Sequence, residues 1–260
     1  MPDLRGVWES REMIWMFAKR DVMVRYKQSV MGVLWTIVQP LALAGVFTLF
    51  LGVLADIEAP KGVPRPLYML SGLVMWLFFA NTLARCSEST VQNSALISKV
   101  YFPRLVVPVA AALPPLFELA IGMVVVVIPV TLAYGVVPGP QLVLLPLLAL
   151  LALATALGFG LWFSALNVKY RDFSILIPTI ILVGLFITPI VYPFDVVPEH
   201  LQPFYAINPM VGVMELYRWA LLDLAWPGLL TIIPLVTCVV TVVSGAIYYQ
   251  RAQQRFVDLF

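Results

Sequence analysis

Side chains that could do chemistry are few in this sequence and widely separated. His200 is the only imidazole, and the two cysteines, Cys86 and Cys238, do not stand in a CxxC or other metal-ligand spacing. Carboxylates do not recur as a pair at helical spacing within an apolar stretch, so neither paired-carboxylate nor metal-assisted catalysis has its residues. The pattern argues against an enzyme and against a metal site, and it leaves the redox compartment open.

Nucleotide binding through a P-loop also lacks its residues. A P-loop ends in Gly-Lys-Ser/Thr, because backbone amides and the lysine ammonium together hold the phosphates. The five lysines all follow residues other than glycine: Lys19, Lys27, Lys61, Lys99 and Lys169. The chain is therefore not expected to bind ATP in that manner, and no cofactor is expected in it.

The composition places the chain in a membrane. Of its 260 residues, 62% are hydrophobic and 12% are charged, and the mean hydropathy is +0.96, whereas soluble domains carry about 25% charged residues. So few charges cannot build a water-facing shell, and lipid must be the main solvent. The net charge of +2, without a basic block, excludes nucleic acid as a partner.

Six apolar stretches are long enough to cross a bilayer, which takes about 20 residues in a helix. The third and fourth are separated by Gly135 and the turn-forming Pro138-Gly139-Pro140. The predicted spans lie near 33–54, 66–84, 105–134, 142–166, 173–194 and 228–249.

The whole chain, 1–260, is predicted to form one all-α integral membrane domain. It comprises a cytoplasmic interfacial helix within 1–32, a six-helix membrane bundle over 33–249 and a cytoplasmic tail, 250–260. Basic residues in flanking segments set the orientation of membrane helices. With both termini in the cytoplasm, 13 of the 16 basic residues lie inside, and only Lys61, Arg65 and Arg218 lie outside.

Residues 12–30 are predicted to form a helix that lies on the membrane surface. Charges recur every few residues, so the segment cannot span, but its aromatic and methionine side chains suit the acyl boundary and its basic groups suit lipid headgroups. Gly32 offers a hinge where the chain turns into the membrane. The alternative is a basic flank that only enforces topology.

The cytoplasmic segment from Cys86 to Arg104 is a candidate docking site for a soluble partner. Its second half carries apolar residues before Pro103 stops any helix, and exposed apolar residues on a loop are typical of a binding surface. The alternative is a helix packed under its own bundle. The apolar residues are Leu96, Ile97, Val100, Tyr101 and Phe102.

Glu118 is the lone carboxylate well inside a predicted span, and it follows Pro114-Pro115, where the helix loses backbone donors. Ionisable groups inside membranes are costly and are functional candidates for that reason. A glutamate can also satisfy the disrupted backbone or a neighbouring helix. The sequence leaves these two roles open.

The stretch between the fifth and sixth spans is predicted to form an outer re-entrant segment. Tyr192-Pro193 ends one helix, and Asn208-Pro209 supplies an N-cap and a first-turn proline for a short helix over 209–222. Such a broken excursion must be shielded by protein or line a water-filled passage. An ordinary outer-leaflet loop is the alternative. The candidate outer-gate residues are Tyr192, Asn208, Glu215 and Arg218, the last two lying one helical turn apart.

Five segments, spread in order over essentially the whole chain, resemble the polysaccharide-exporting permeases of the type-2 ABC transporter family, which include O-antigen and teichoic acid exporters. Met31 departs from the leucine more usual there. The segments are KRDVMVRYKQSVMGVLWTIVQP (19–40), NSALISKVYFPRLVVP (93–108), LNVKYRDF (166–173), TPIVYPFDVVPE (188–199) and INPMVGVMELYRW (207–219).

The resemblance implies a homodimer bound to two copies of an ATPase subunit, moving a lipid-linked glycan across the bacterial inner membrane. It also implies that the segment 93–104 is the coupling helix, and that the loop 167–173 lies on the same side. The ATPase-docking residues would be Asn93, Leu96, Ile97, Lys99, Tyr101, Phe102 and Arg104.

The substrate path is expected at the dimer axis, near the inner end of the first span. Aromatic surfaces can stack on sugar rings and leave a glycan free to slide, and a lipid pyrophosphate would arrive at the height of Arg25 and Lys27. These side chains could equally form an interfacial belt and fix orientation. The candidates for path or access are Arg25, Tyr26, Lys27, Gly32, Trp35, Thr36 and Gln39.

Three other functions remain open from the sequence. An ABC-2 permease for a small hydrophobic drug or lipid shares the architecture. A membrane glycosyl- or phosphotransferase would need clustered carboxylates, which the sequence lacks. A channel or secondary transporter would work without an ATPase partner.

Overall fold

The computed structural model describes residues 4–27, 32–54, 59–60, 62–100, 102–170, 172–254 and 256. These residues form helices joined by turns, and none of them lies in a β-strand. The all-α fold class predicted from the sequence is confirmed.

Thirteen α-helices follow one another along the described part of the chain. They are α1 (Leu4–Glu9), α2 (Arg11–Lys27), α3 (Gly32–Phe47), α4 (Arg65–Gln92), α5 (Ser94–Ile97), α6 (Val106–Ala111), α7 (Leu113–Ile121), α8 (Ile128–Ala133), α9 (Leu145–Lys169), α10 (Phe173–Ile187), α11 (Gln202–Tyr205), α12 (Pro209–Leu222) and α13 (Ile232–Gln253). Wider π-helical turns extend α3 at Thr48–Leu54 and join α7 to α8 at Gly122–Val127. Short 3₁₀ turns lie at Pro140–Leu144, Phe194–Val196 and Leu229–Thr231.

Five helical stretches are long and apolar enough to cross a membrane. They are Leu34–Leu51, Arg65–Gln92, Val106–Ala133, Pro140–Lys169 and Leu229–Gln253, and each matches a predicted span.

The remaining predicted span, 173–194, contains the apolar helix α10, which has only 15 residues. Its length of about 22 Å is short of a hydrocarbon core of about 30 Å. The helix ends at Ile187 because Thr188 precedes a proline and takes an extended backbone, with φ −90° and ψ 140°. The sixth crossing therefore stays a prediction.

The core is centred on α4, which is mostly buried and packs against α9, which in turn packs against α13. Glycines allow this close approach, as is common between membrane helices. A Cβ added at Gly158 would lie 2.8 Å from the Val242 amide nitrogen, and one at Gly245 would collide with the Gly158 carbonyl oxygen. The small residues of α9 therefore set its distance from α13.

Buried hydroxyls join the same three helices near one end. The Thr90 hydroxyl lies 2.7 Å from that of Ser164 and 2.9 Å from that of Tyr249. Asn167 donates to the Ser87 carbonyl oxygen over 3.2 Å. These bonds satisfy polar groups that could not be left unpaired in a membrane.

Helices α3 and α10 lie at the periphery. Large apolar side chains on both are exposed, including Val38 and Leu41 on α3 and Ile175 and Leu182 on α10. Ile177 is the buried residue of α10. These surfaces face lipid or another protein chain.

Candidate functional site

A narrow pocket opens between α2, α3, α4 and α7, with an open volume of about 40 Å³. It brings four predicted path residues together with the intramembrane carboxylate Glu118. The lining residues are Arg25, Trp35, Thr36, Gln39, Pro40, Val74, Leu77, Phe78, Asn81, Glu118, Leu119 and Gly122.

Glu118 is paired with side chains from two other helices. Its side chain is 8% exposed, and its Oε1 lies 2.6 Å from Nη1 of Arg25 on α2 and 3.4 Å from Nη2 of Arg85 on α4. Asn81 on α4 donates to Oε2 over 3.4 Å. The carboxylate thus contacts two neighbouring helices, and its functional role stays a prediction.

The contributions of Asn81 and Arg85 were missed at the sequence level. The two residues are four apart, so they share one face of α4, and that spacing was the available signal. Pro114 and Pro115 begin α7 and place Glu118 within its second turn. Pairing across 33 residues could not be foreseen from this local pattern.

The α3 side of the pocket offers uncharged polar groups. The hydroxyl oxygen of Thr36 is buried and has no hydrogen-bond partner among the described residues. Gln39 and Trp35 are exposed, although α3 is otherwise apolar. An aromatic face, an amide and an orphan hydroxyl suit a ligand that carries hydroxyl or phosphate oxygens.

Arg25 and Lys27 stand in the last turn of α2, where cations complement the helix dipole. Lys27 is exposed. Gly32 begins α3, but the connection from α2, 28–31, lies outside the described residues, and so does the side chain of Tyr26. The proposed hinge at Gly32 therefore stays a prediction.

The docking segment is built differently from the sequence expectation. A single helical turn, α5, follows α4, whose end is closed by Asn93 donating to the Ser89 carbonyl oxygen over 2.8 Å. The expectation of exposed apolar residues is wrong for Ile97, which is 6% exposed, and Phe102, which is 8% exposed.

The surface helix α2 covers these two residues. The rings of Phe17 and Phe102 meet edge to face with centroids 6.3 Å apart, and Met13 and Ile14 pack on the same cluster. The half-buried Leu96 joins them. Tyr101 lies outside the described residues. The exposed residues described within 93–104 are Ala95, Ser98, Lys99 and Val100.

Arg104 ties the docking segment to the last helix. Its Nη1 donates to the Gln253 carbonyl oxygen, and the Tyr249 hydroxyl donates to the Arg104 carbonyl oxygen over 3.3 Å. A cavity of about 450 Å³ adjoins this tie. It is lined by Gly6, Glu9, Phe102, Pro103, Arg104, Leu105, Gln250, Gln253 and Gln254.

Asn208 caps α12 as the sequence predicted. Its Oδ1 accepts from the Met210 amide over 3.0 Å, and its Nδ2 donates to the Thr188 hydroxyl over 2.9 Å. The Tyr192 hydroxyl donates to the Phe186 carbonyl oxygen over 2.9 Å. The segment after α10 is thereby folded back on that helix and joined to the start of α12.

Arg218 is engaged by backbone carbonyls and an aromatic ring rather than by Glu215. It is 1% exposed, and Nη1 donates to the Pro189 carbonyl oxygen over 2.6 Å, while Nη2 donates to the Ile190 carbonyl oxygen. Gly72 on α4 leaves space for the guanidinium. Glu215 instead lines a small separate pocket with residues of α12, α13 and their connection.

Metal ligands do not gather in the part of the chain that the structure describes, where no group of three His, Cys, Asp or Glu side chains comes together. The pocket itself offers charge pairing by Arg25 and Glu118 and hydrogen bonding by Thr36 and Gln39.

Comparison with known proteins identifies the family and its relatives. A family model of the ABC-2 type transporter matches residues 12–222. An O-antigen export system permease protein, RfbA, of Klebsiella pneumoniae is 25% identical over 253 residues, or 95% of each chain. RfbA of Myxococcus xanthus is 26% identical over 217 residues, 83% of this chain and 82% of the relative. The polysialic acid transport protein KpsM of Escherichia coli is 24% identical over 208 residues, 78% of each chain.

The matched region runs from α2 to the end of α12 and so includes the pocket and the docking segment. The chain therefore belongs to the ABC-2 type transporter family, as a transmembrane permease subunit of an ABC transporter rather than its ATPase.

Proposed function

We propose that this chain exports a lipid-linked polysaccharide, of O-antigen, teichoic acid or capsule type, across a bacterial inner membrane. It would work as a homodimer with two copies of an ATPase subunit that bind ATP and Mg²⁺. Family membership supports the ATPase partner, and the names of the three relatives support a glycan as cargo. A symmetric dimer would place the path between the subunits, since one bundle is small for a polymer.

The proposed topology has six crossings and both termini in the cytoplasm. Helix α10 would be the fifth crossing, completed by the residues after Ile187. Helix α12 would be re-entrant, because its residues are mostly buried against α4, α9 and α13, and such shielding is what a broken helix in a membrane requires. The distribution of basic residues supports the orientation.

The observation that carries the proposal is the pocket at the inner end of α3. An exposed glutamine on a membrane-crossing helix is costly against lipid and suits a polar path. Trp35, next to it in the pocket, offers a ring face to sugars. Arg25 and Lys27 would receive the lipid pyrophosphate at the membrane surface.

The ATPase subunit would dock on the exposed part of the segment 93–104. Because Ile97 and Phe102 are buried under α2, the contact would be made through Lys99, Val100 and their exposed neighbours. A movement of this segment on docking would reach α2 through the contact between the Phe17 and Phe102 rings. The pocket residue Arg25 stands on the same helix, so α2 would link docking to substrate binding.

The test is ATP-driven transport by the reconstituted complex. The chain is purified with its ATPase subunit, placed in vesicles and supplied with a lipid-linked glycan or with a hydrophobic dye. Glycan-stimulated ATP hydrolysis is expected, with loss of stimulation in Arg25→Ala, Lys27→Ala and Trp35→Ala at intact basal hydrolysis. Lys19→Ala is the matched control, since Lys19 is an exposed cation on α2 that does not line the pocket.

Unchanged stimulation in all three variants would refute the path. Dye transport without any response to the glycan would indicate that the cargo is a small hydrophobic molecule.

A further inference from the structure

Two arginines converge on one carboxylate at the pocket. Arg25 and Arg85 both lie within 3.4 Å of Oε1 of Glu118, so these three side chains together carry one excess positive charge. Excess charge at the rim of a membrane protein attracts an anion, and a guanidinium suits phosphate oxygens in particular.

The pocket is asymmetric with respect to the two arginines. Arg25 lines it together with Thr36 and Gln39, whereas Arg85 approaches Glu118 without being part of the lining. The buried Thr36 hydroxyl, which has no partner among the described residues, is a second polar group that calls for a ligand. Arg25 and Thr36 thus face a common space from α2 and α3.

We infer that Glu118 holds the place of an anionic ligand, and that a lipid phosphate displaces it from Arg25 when substrate binds. This inference rests on the proposed function and deepens it, because it assigns the phosphate of the lipid carrier to Arg25 and Thr36. Glu118 is the internal competitor that keeps Arg25 in position beforehand.

The exchange leaves no buried charge unpaired. When Arg25 turns to the phosphate, Glu118 keeps Arg85 at 3.4 Å and the Asn81 amide at 3.4 Å. Removing the only partner of a buried charge is strongly unfavourable, and the second arginine avoids this. The arrangement of one carboxylate between two arginines is therefore suited to partner exchange.

The exchange also has a structural consequence. The Arg25–Glu118 pair joins α2 to α7, and α2 covers the docking segment. A phosphate that captures Arg25 from the α3 side removes this ion pair, while the packing of α2 on α6 and α7 remains. Substrate binding would in this way loosen the helix that contacts the ATPase-docking surface.

The experiment measures binding of a polyprenyl phosphate to the purified transporter complex in lipid nanodiscs. The uncharged polyprenol and inorganic pyrophosphate are the comparison ligands, and they separate a lipid phosphate from an apolar chain or a free anion. The variants are Arg25→Ala, Glu118→Gln and Arg85→Ala, with Lys19→Ala as the control on α2. Thermal unfolding and ATPase assembly are measured for each.

Arg25→Ala should weaken polyprenyl phosphate binding about tenfold or more, the size of one lost charge-assisted hydrogen bond. Glu118→Gln should tighten it about three- to tenfold, because the competing carboxylate is removed. Arg85→Ala should weaken polyprenyl phosphate binding more in the wild-type background than in the Glu118→Gln background, because only a charged Glu118 needs Arg85 as its remaining partner. Lys19→Ala and binding of the polyprenol should be unchanged.

The outcomes separate the inference from the proposed function. If Arg25→Ala weakens binding but Glu118→Gln weakens it or leaves it unchanged, the partner exchange is wrong while the access site stands. If Arg25→Ala has no effect, the access site itself is wrong. Should Glu118→Gln fail to assemble, Glu118→Asp keeps the charge but withdraws it from Arg25, and it must also tighten binding.

Discussion

The guanidinium carbon of Arg218 lies 3.7 Å from the centre of the Tyr68 ring, and Nη1 of the same group donates to the Tyr68 hydroxyl over 2.7 Å. This contact joins α12 to α4 across 150 residues of sequence. The Tyr68 hydroxyl also donates to the Tyr192 carbonyl oxygen over 3.4 Å, so the segment after α10 is held by the same pair.

Replacing Arg218 is expected to destabilise the fold. Arg218→Met keeps the length of the side chain but leaves the Pro189 and Ile190 carbonyls unpaired, and each buried unpaired group costs about 1–3 kcal/mol. A lower Tm is therefore expected in detergent. Tyr68→Phe keeps the ring and should lower the Tm less. An unchanged Tm in Arg218→Met would show that the contact contributes nothing.

Truncating Phe102 should free the surface helix α2. Phe102→Ala removes a ring that packs against Phe17, and buried phenylalanines contribute about 3–5 kcal/mol. Amide hydrogen exchange over Arg11–Lys27 should speed up, while exchange in α4 and α9 stays slow. Val100→Ala, in the same segment but exposed, is the control. Equal exchange in both variants would contradict the contact.

Charge reversal on the exposed docking surface should impair ATPase binding without unfolding the chain. Lys99→Glu with Val100→Asp changes side chains that face solvent, so the Tm should stay within the range of ordinary surface substitutions. Pull-down of the ATPase subunit should fall about tenfold or more. Full ATPase binding by this double variant would show that the docking site lies elsewhere, for example at the cavity beside Arg104.

Cysteine labelling can decide the orientation. A cysteine at Gly139 would be crowded by Gln141 and Asp223, so Val137, which is 74% exposed on the same turn, is the better position. Val137→Cys should react with an impermeant thiol reagent added outside intact cells, and Ser174→Cys should react only after lysis. Background labelling should be low because Cys86 and Cys238 are buried. The reverse pattern would invert the topology.

A pair of glycine substitutions tests the close contact between α9 and α13. Gly158→Ala places a Cβ against the α13 backbone and should destabilise by about 1–3 kcal/mol, as overpacking does. Gly45→Ala on α3 has nothing within 4 Å and should leave the Tm unchanged or raise it, since alanine favours helix. Similar shifts in the two variants would contradict the contact.

The periodic features of this chain were predictable from its sequence. Apolar runs of about 20 residues define the spans because the bilayer imposes their length. Five of the six predicted spans are helices long and apolar enough to cross a membrane. The cap at Asn208 was predictable too, since Asn followed by Pro determines a helix start locally. At the site, four of the residues predicted for the substrate path line one pocket with Glu118. They are Arg25, Trp35, Thr36 and Gln39.

Long-range pairing was not predictable in the same way. The sequence placed Arg218 one helical turn from Glu215 but gave no sign of its actual partners. These are backbone carbonyls 28 and 29 residues back and a tyrosine 150 residues back. Exposure of Phe102 was misjudged for a related reason. A loop with apolar residues looks uncovered until the helix that covers it, α2, is placed in space.

The hydroxyl cluster of Thr90, Ser164 and Tyr249 and the close glycine contacts join α4, α9 and α13 into one packed unit. Helices α3 and α10 instead expose many large apolar side chains, and α3 is the next described helix after α2. We therefore expect that a displacement of α2 would be passed on to α3 more readily than to the three joined helices.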